Sequence, residues 1–500
     1  MFDQLGADIM TRQSPLLIAL GLLLVGVPRA QGADKPNIVF IMADDLGNAD
    51  LGYRGGVIQT PNIDKLAAEG VRCESFYGMP VCTPSRAALM TGRYPIRHGL
   101  QTLVIFPSHP YGLPTDERTL PQALKESGYQ TYMVGKWHLG HADRKYWPQN
   151  RGFDHFYGNL VGEVDYFTKE RGGLIDWQRN GKFFKEEGYY TTLIGNEAVK
   201  LIEMQDANKP FFLYFASLAP HAPFQVPREY SDRYAAVPNE KRRAYAGMIT
   251  ALDDQVGRMI TALEKKSLRE NTIIIFASDN GGATNALFAT GARSEEDRKE
   301  SGGVGLGEKP PASNGKFRAG KGSLYEGGVR VPAIVNWPGK LKPAVVNEPL
   351  AMVDVMPTLI GLAGGHGSVD HPFDGKDMWA TLAQGKPSPH DDILVNVEAI
   401  RGSIRKGDWK LFRMATFPGK TELYNLAHDP GETTNVADQH PDIVTELNDR
   451  LIAYARQMKP SEWIRSQPTF LGAQSGTLFD PDFDIDDAGL PHEKLVLPDR

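Results

Sequence analysis

Cysteine is almost missing from this 500-residue chain, in which Cys73 and Cys82 make up the whole complement. Two thiols cannot staple a disulfide scaffold, so a hydrophobic core must hold the fold. A basic surplus is missing too. Lys and Arg number 55 against 61 Asp and Glu, and the resulting net charge of −6 argues against nucleic acid as the main partner. The longest apolar run, Pro15–Val27, has thirteen residues, short of the roughly 20 that cross a bilayer as a helix. No internal repeat or sustained heptad pattern is present, which removes coiled coils. What is there is ordinary globular material, 41% hydrophobic and 23% charged, with 52 glycines and 35 prolines punctuating many loops.

The thirteen-residue run fits the apolar region of a secretory signal. Arg12 supplies the positive residue before it, and Ala30-Gln31-Gly32 the small residues of a cleavage site, so the mature chain is expected to start at Ala33. Asp3 and Asp8 sit poorly in such a leader, and a start at Met10 would remove them. A buried helix is the alternative, disfavoured by Pro28 and by Asp34-Lys35-Pro36 directly after the run. The expectation is export, to the periplasm or outside, with residues 1–32 removed.

Two later runs share a shape. Asn37–Ala43 leads into Asp44-Asp45, and Thr272–Ser278 into Asp279-Asn280; Phe211–Ala216 is a third, ending near Pro220-His221. Unbroken β-branched and apolar runs of this length read as strands buried on both faces. Helical patterns lie between them, one opening at Leu120. In another, Met248, Leu252, Val256, Met259 and Leu263 make one apolar stripe. Alternating strands and helices predict an α/β core, in which functional groups collect at the carboxyl ends of strands. Beyond Lys376 the pattern becomes short strands (Ile393–Val397, Gly402–Arg405, Trp409–Phe412, Glu422–Tyr424) and then a helix from Pro441 to Met458. This divides the chain into a catalytic domain over 33–375, a small α+β domain over 376–465 and a tail over 466–500.

The sharpest local signal is Cys82-Thr83-Pro84-Ser85-Arg86. It resembles the signature of type I sulfatases. The resemblance extends in order through Pro36–Gly47, Gly135–Gly140, Asp279–Gly282 and Gly320–Arg330, reaching about residue 430, and looks like the arylsulfatase B, or N-acetylgalactosamine 4-sulfatase, branch. It implies an alkaline phosphatase superfamily fold: a large mixed sheet flanked by helices, with a small C-terminal α+β domain. It also implies that Cys82 is oxidised to formylglycine by a formylglycine-generating enzyme. The alternatives for Cys82 are an ordinary buried thiol or a disulfide to Cys73.

A hydrated aldehyde carries two hydroxyls on one carbon, so one can attack sulfur and the other can expel sulfate afterwards. The acid pairs Asp44-Asp45 and Asp279-Asn280 offer hard oxygen ligands suited to Ca²⁺ or Mg²⁺ and unsuited to zinc. One acid pair alone is as often a turn or helix cap. By resemblance Cys82 also ligates the metal, Arg86 braces the formylglycine, and Lys136 and Lys321 contact the sulfate. His138 would take a proton from the hydrate, and His221 would protonate the leaving alcohol. The implied activity is hydrolysis of sulfate monoesters of carbohydrates, N-acetylgalactosamine 4-sulfate-like, with aryl sulfates as surrogates. The rival readings are a phosphodiesterase or phosphonate monoester hydrolase of the same superfamily, and a non-catalytic exported glycan-binding protein. Glu163, Asp165 and Tyr166 fall in a substrate-loop region, and 283–316 reads as an insertion near the site. Asp253-Asp254 reads as a solvated or locally bonded helix face, Gly327-Gly328 as a close approach of backbone to the sheet, and Lys241-Arg242-Arg243 as a short basic run at a helix start.

Overall fold

The computed structural model describes residues 35–285, 308–368 and 370–467. The leader, its cleavage site, the Met10 start, most of the 283–316 insertion and nearly all of the tail lie outside the described residues.

The elements that position the site run in chain order as β1 (Asn37–Ala43), α1 (Pro61–Glu69), β2 (Val71–Tyr77), α2 (Cys82–Thr91), α3 (Leu120–Glu126), β3 (Gln130–Lys136) and β4 (His155–Asn159). Then come α4 (Tyr190–Glu203), β5 (Phe211–Ala216), α5 (Glu240–Lys265), β6 (Thr272–Ser278) and β7 (Arg330–Asn336). Among the described residues the large sheet has eleven strands, with β2-β7-β6-β1-β5-β3-β4 along its middle. Strands β6, β1, β5, β3 and β4 are mutually parallel, whereas β7 is antiparallel to both β6 and β2.

The unbroken apolar runs have a direct explanation. In β1, Ile38, Phe40 and Met42 enter the core on one face, while Val39, Ile41 and Ala43 enter the core on the other. Both faces are covered, so every position from Ile38 to Ala43 is apolar. The register pairs Ala43 with Ser278 and Met42 with Ala216, so β1, β6 and β5 end level and their following residues emerge side by side.

Helix α5 buries the expected stripe, and its Asn239 cap accepts from Arg242 N at 2.8 Å. Asp253 is not on a solvated face. It is fully buried and accepts from Ile63 N (2.7 Å), Asn62 N (3.2 Å) and Asn62 Nδ2 (2.7 Å), supplying from α5 the cap for the first turn of α1. A cap donated by another helix leaves no local trace, so composition alone misplaced it. Arg242 pairs with Asp50 at 2.7 Å and also bonds Pro311 O. Gly327 and Gly328 do make a close approach, but to the 318–323 segment. A Cβ on Gly327 would fall 2.3 Å from Ala319 O, and one on Gly281 would fall 1.8 Å from Gly327 O.

A separate antiparallel sheet follows: β8 (Ile393–Val397), β9 (Arg401–Lys406), β10 (Trp409–Met414) and β11 (Lys420–Asn425), in sequence order. Cross-strand pairing aligns Leu394, Ile404, Leu411 and Leu423 in one buried row. Helix α6 (Pro441–Ala455) adds Leu447 and Leu451 to that core. The expected strands differ from these by at most two residues at an end. Among the described residues no helix is long and apolar enough to cross a membrane.

Candidate active site

Three strand ends converge. Asp44 and Asp45 follow β1, Asp279 and Asn280 follow β6, and Lys136 is the last residue of β3. Cys82 is the first residue of α2, so Arg86, four residues on, lies one turn further along the same helix face. Arg86 is completely buried. Its Nη2 reaches Asp44 Oδ2 at 3.0 Å and Asp279 Oδ2 at 3.1 Å, and its Nη1 donates to Lys136 O at 2.9 Å. One guanidinium therefore ties the three strand ends together.

Around this tie, the Cys82 thiol lies 3.5 Å from Asp44 Oδ1. Lys136 Nζ pairs with Asp44, and Lys321 Nζ pairs with Asp45 Oδ2 at 2.8 Å. The Lys321 peptide region is pinned from both sides, since Lys321 N donates to Gly282 O and Gly322 N to Pro80 O, two residues before Cys82. Ser85, inside the cysteine motif, donates to Asp279 O at 2.5 Å and accepts from Met79 N at 2.6 Å. The motif's serine thus fastens the cysteine loop to β6.

Electrostatics divides the acids. Burial would raise Asp44, but the Lys136 ammonium and the Arg86 guanidinium outweigh it and hold the carboxyl well below its ordinary range. Burial pushes Asp279 up to about 6, helped by Asp44 and opposed by Arg86 and Lys136. Burial also raises Asp45, against the pull of Lys321. Burial raises the Cys82 thiol far above its usual value, with Asp44 adding to the effect, so an unmodified thiolate is disfavoured here.

The two histidines are both neutral. His221 is pushed down to about 3 by burial and then by Lys321. Its Nδ1 lies 2.5 Å from Ala222 O, an atom that only accepts, so Nδ1 carries the proton and Nε2 faces Asp45 Oδ2 at 3.6 Å. Burial, Lys136 and Arg86 hold His138 well below its ordinary value. Its Nε2 donates to Ile105 O at 3.1 Å, which leaves Nδ1 buried with no hydrogen-bond partner among the described residues. The ring lies directly against Gly162, where a Cβ would sit 2.4 Å from it.

A divalent cation fits this donor set. Ligand atoms of Asp44, Asp45, Cys82 and His221 all lie within 4.8 Å of one another, and Asn280 Oδ1 is buried with no hydrogen-bond partner among the described residues. Asp279 is turned differently: Oδ2 meets Arg86, while Oδ1 accepts from Asp45 N and Asn280 N. Closely packed buried carboxylates and an orphaned amide oxygen suit a hard cation. Of the five ligands expected, Asp44, Asp45 and Cys82 fall in this group and Asn280 lies beside it, whereas both Asp279 oxygens are engaged elsewhere and His221, expected as a proton donor, takes a place in the group.

Some neighbours were not legible. Glu163 Oε2 lies 3.9 Å from His221 Nδ1 while Oε1 pairs with Arg171 at 2.9 Å, and Tyr166 donates to His221 O at 2.9 Å. Asp165 instead bonds Gln225 at 2.6 Å. Cys73 and Cys82 are both free, so the disulfide alternative is not formed.

Comparison with known proteins agrees with this geometry. The family model described as Sulfatase matches residues 36–365, and that described as N-sulphoglucosamine sulphohydrolase, C-terminal, matches 319–457. Mouse arylsulfatase J is 35% identical over 90% of this chain and 81% of its own length. Mouse N-acetylgalactosamine-6-sulfatase is 36% identical over 86% of this chain and 82% of its own. The solved structure described as Ps i-CgsB in complex with k-i-k-neocarrahexaose superposes with a TM-score of 0.76 at 31% identity, covering 88% of this chain and 98% of the other.

Proposed function

Because the chain belongs to the sulfatase family of sulfuric ester hydrolases, we propose that it is an exported enzyme that removes sulfate from sulfated carbohydrates and also cleaves aryl sulfates. The observation that carries this reading is the convergence of Cys82, the acids Asp44, Asp45 and Asp279, and the cations Arg86, Lys136 and Lys321 on one set of strand ends. A sulfate monoester is already an anion, so attack at sulfur needs positive charge, and three cations paired with three carboxylates would give a surplus once a divalent cation were bound among them.

Cys82, oxidised by a formylglycine-generating enzyme before folding closes over it, would supply the nucleophilic hydroxyl of the hydrated aldehyde. A divalent cation, Ca²⁺ or Mg²⁺, held by Asp44, Asp45, Asp279 and Asn280 would polarise the sulfate oxygens. Lys136 and Lys321 bind the remaining sulfate charge, and Arg86 holds the strand ends in register beneath it. His138 accepts a proton at Nδ1, the ring nitrogen left unpartnered. Nε2 of His221 is the atom from which a proton reaches the leaving alcohol, and the negative charge of a bound ester raises its proton affinity. The sugar assignment stays at the class level. A relative named for the 6-sulfate ester matches as well as one named arylsulfatase, so the 4-sulfate expectation has no special support.

Mass analysis of the Cys82 peptide with hydrazide labelling tests the reading, alongside parallel turnover of nitrophenyl sulfate and nitrophenyl phosphonate. Aldehyde at residue 82 with preference for the sulfate ester is expected. An unmodified thiol, or preference for the phosphonate, overturns it.

A further inference from the structure

A cavity of about 420 Å³ lies outside the catalytic cluster. Its walls include Tyr53, Arg54, Glu74, Lys316, Phe317 and Arg330. The size falls within the range of small-molecule sites. Three cations thus face one carboxylate. Arg54 Nη1 takes up that carboxylate at 2.8 Å. Arg330 donates through Nε to Glu74 O at 2.7 Å and through Nη1 to Glu326 at 3.2 Å, but it shares Glu326 with Lys410 at 2.9 Å. Its Nη2 carries no hydrogen bond among the described residues. Lys316 is exposed and forms no ion pair among them. The cavity therefore holds a positive surplus with donors unspent.

Two of the other lining residues, Tyr53 and Phe317, are aromatic. Arg330 lies 4.8 Å from the centroid of the Phe317 ring and Lys316 5.8 Å from it, while Arg54 lies 5.1 Å from the Tyr53 centroid. Rings backed by cations offer an apolar surface beside charge-assisted donors, the combination that suits an anionic sugar.

The cavity is also wired to the reaction centre. Asn48 lines it and is three residues beyond Asp45, so it lies within about 11 Å of that acid along the backbone. Asn314 lines it too, accepts from Asn48 N at 3.3 Å and from Gly282 N at 3.0 Å, and so joins its wall to the loop after β6.

We propose that this cavity is an ancillary subsite that binds a second anionic sugar unit, sulfated or carboxylated, of the chain whose ester is cleaved at Cys82. It rests on the sulfatase reading for the identity of that chain.

The test uses the full-length enzyme and two exposed-site variants, Lys316→Gln and Lys316→Glu. Binding of a chondroitin 6-sulfate hexasaccharide and of a carrageenan hexasaccharide is measured by calorimetry, with inorganic sulfate as the small-anion control and nitrophenyl sulfate turnover as the reaction control. For whichever hexasaccharide the wild type binds, Kd should rise about threefold for Lys316→Gln and about tenfold for Lys316→Glu. KM for that hexasaccharide should rise with kcat retained, and kcat/KM for nitrophenyl sulfate should stay unchanged. Equal Kd in all three proteins, or binding of neither hexasaccharide, overturns the proposal. So does an equal fall for nitrophenyl sulfate, which would make Lys316 part of the reaction centre. A matching loss of inorganic sulfate binding would make this a free-anion site and overturn the sugar assignment. If the wild type releases sulfate from no ester yet Lys316→Glu still weakens hexasaccharide binding, the sulfatase reading falls and the subsite stands.

Discussion

Two clusters of fully buried charge lie in this molecule, and they are built on opposite plans. The one at the seam between the sheets is closed by ion pairing: every carboxylate oxygen but Glu432 Oε1 has a hydrogen bond, and that oxygen faces the Lys410 ammonium at 2.9 Å. Lys410, from β10, sits between Glu326 and Glu432 at 2.9 Å from each, and all three side chains are inaccessible. Tyr77 donates to Glu326 at 2.9 Å, Arg405 donates to Tyr77 at 2.6 Å, and Glu432 accepts from Glu326 N at 2.6 Å. Burial opposes the charge on Glu326, but Lys410, Arg330 and Arg405 draw it down to about 2, while burial pushes Glu432 up to about 6. The cluster at the strand ends is open by contrast, with Asn280 Oδ1, His138 Nδ1 and Arg86 Nε buried and unpartnered. Charge that satisfies itself holds sheets together; charge that leaves buried atoms unsatisfied is arranged for something that binds.

The sharpest way to separate the two is to change one atom in the open cluster. Cys82→Ala should cut sulfate-ester turnover on the order of 10⁴-fold or more while Tm stays close to wild type. Undiminished steady turnover would remove the nucleophile. Chelation should lower activity and Tm together, as expected when a bound cation adds to stability, and readdition of Ca²⁺ or Mg²⁺ should restore both. Activity surviving verified metal depletion would refute the cation assignment.

His221→Ala probes the same cluster by leaving group. A sugar alkoxide is far more basic than nitrophenolate and needs protonation as it departs, so turnover of a sulfated sugar should fall roughly 10²- to 10⁴-fold. Turnover of nitrophenyl sulfate should fall much less. Equal losses on both substrates would assign His221 to sulfate binding.

In the closed cluster the expectation reverses. Lys410→Met strands two buried carboxylates and should cost about 3–5 kcal/mol of stability, read as a large drop in denaturation midpoint. The surviving folded fraction should keep its KM for nitrophenyl sulfate. A changed KM with unchanged stability would mean that the seam serves the reaction directly.

What the sequence disclosed follows the same divide. The strands Asn37–Ala43 and Thr272–Ser278 were legible because burial on both faces imposes an unbroken apolar run, and their terminal acids because parallel strands ending level bring those acids together. Cys82 and Arg86 were legible through the resemblance of their short motif to the type I sulfatase signature, and the structure relates them by one helical turn. The seam was not. Glu326 and Lys410 are 84 residues apart, and neither sits in a pattern that names its partner. Glu163 was placed in the right region without its contact to His221, since a loop's path to a distant residue has no periodicity to read. The cap that Asp253 gives to α1 failed for the same reason.

Asp253 tests the comparison at its smallest scale, because it is a buried carboxylate whose partners are all uncharged amide groups. Burial pushes its pKa up to about 6, although the bonds from Ile63 and Asn62 act to lower it. Asp253→Ala removes the cap and should cost about 1–2 kcal/mol. Asp253→Asn keeps the shape and an acceptor but does not titrate, so the difference between it and wild type isolates the charge. A carboxyl whose pKa is higher folded than unfolded contributes stability that is fully present below the unfolded value and is lost as pH rises through the folded one. The unfolded value is the ordinary 3.8 and the folded value about 6, so the loss falls between about pH 4 and pH 7. The Tm advantage of wild type over Asp253→Asn should therefore shrink steadily across that window. An advantage that grows from pH 4 to pH 7 would mean that the amide bonds outweigh burial and hold the charged form in place.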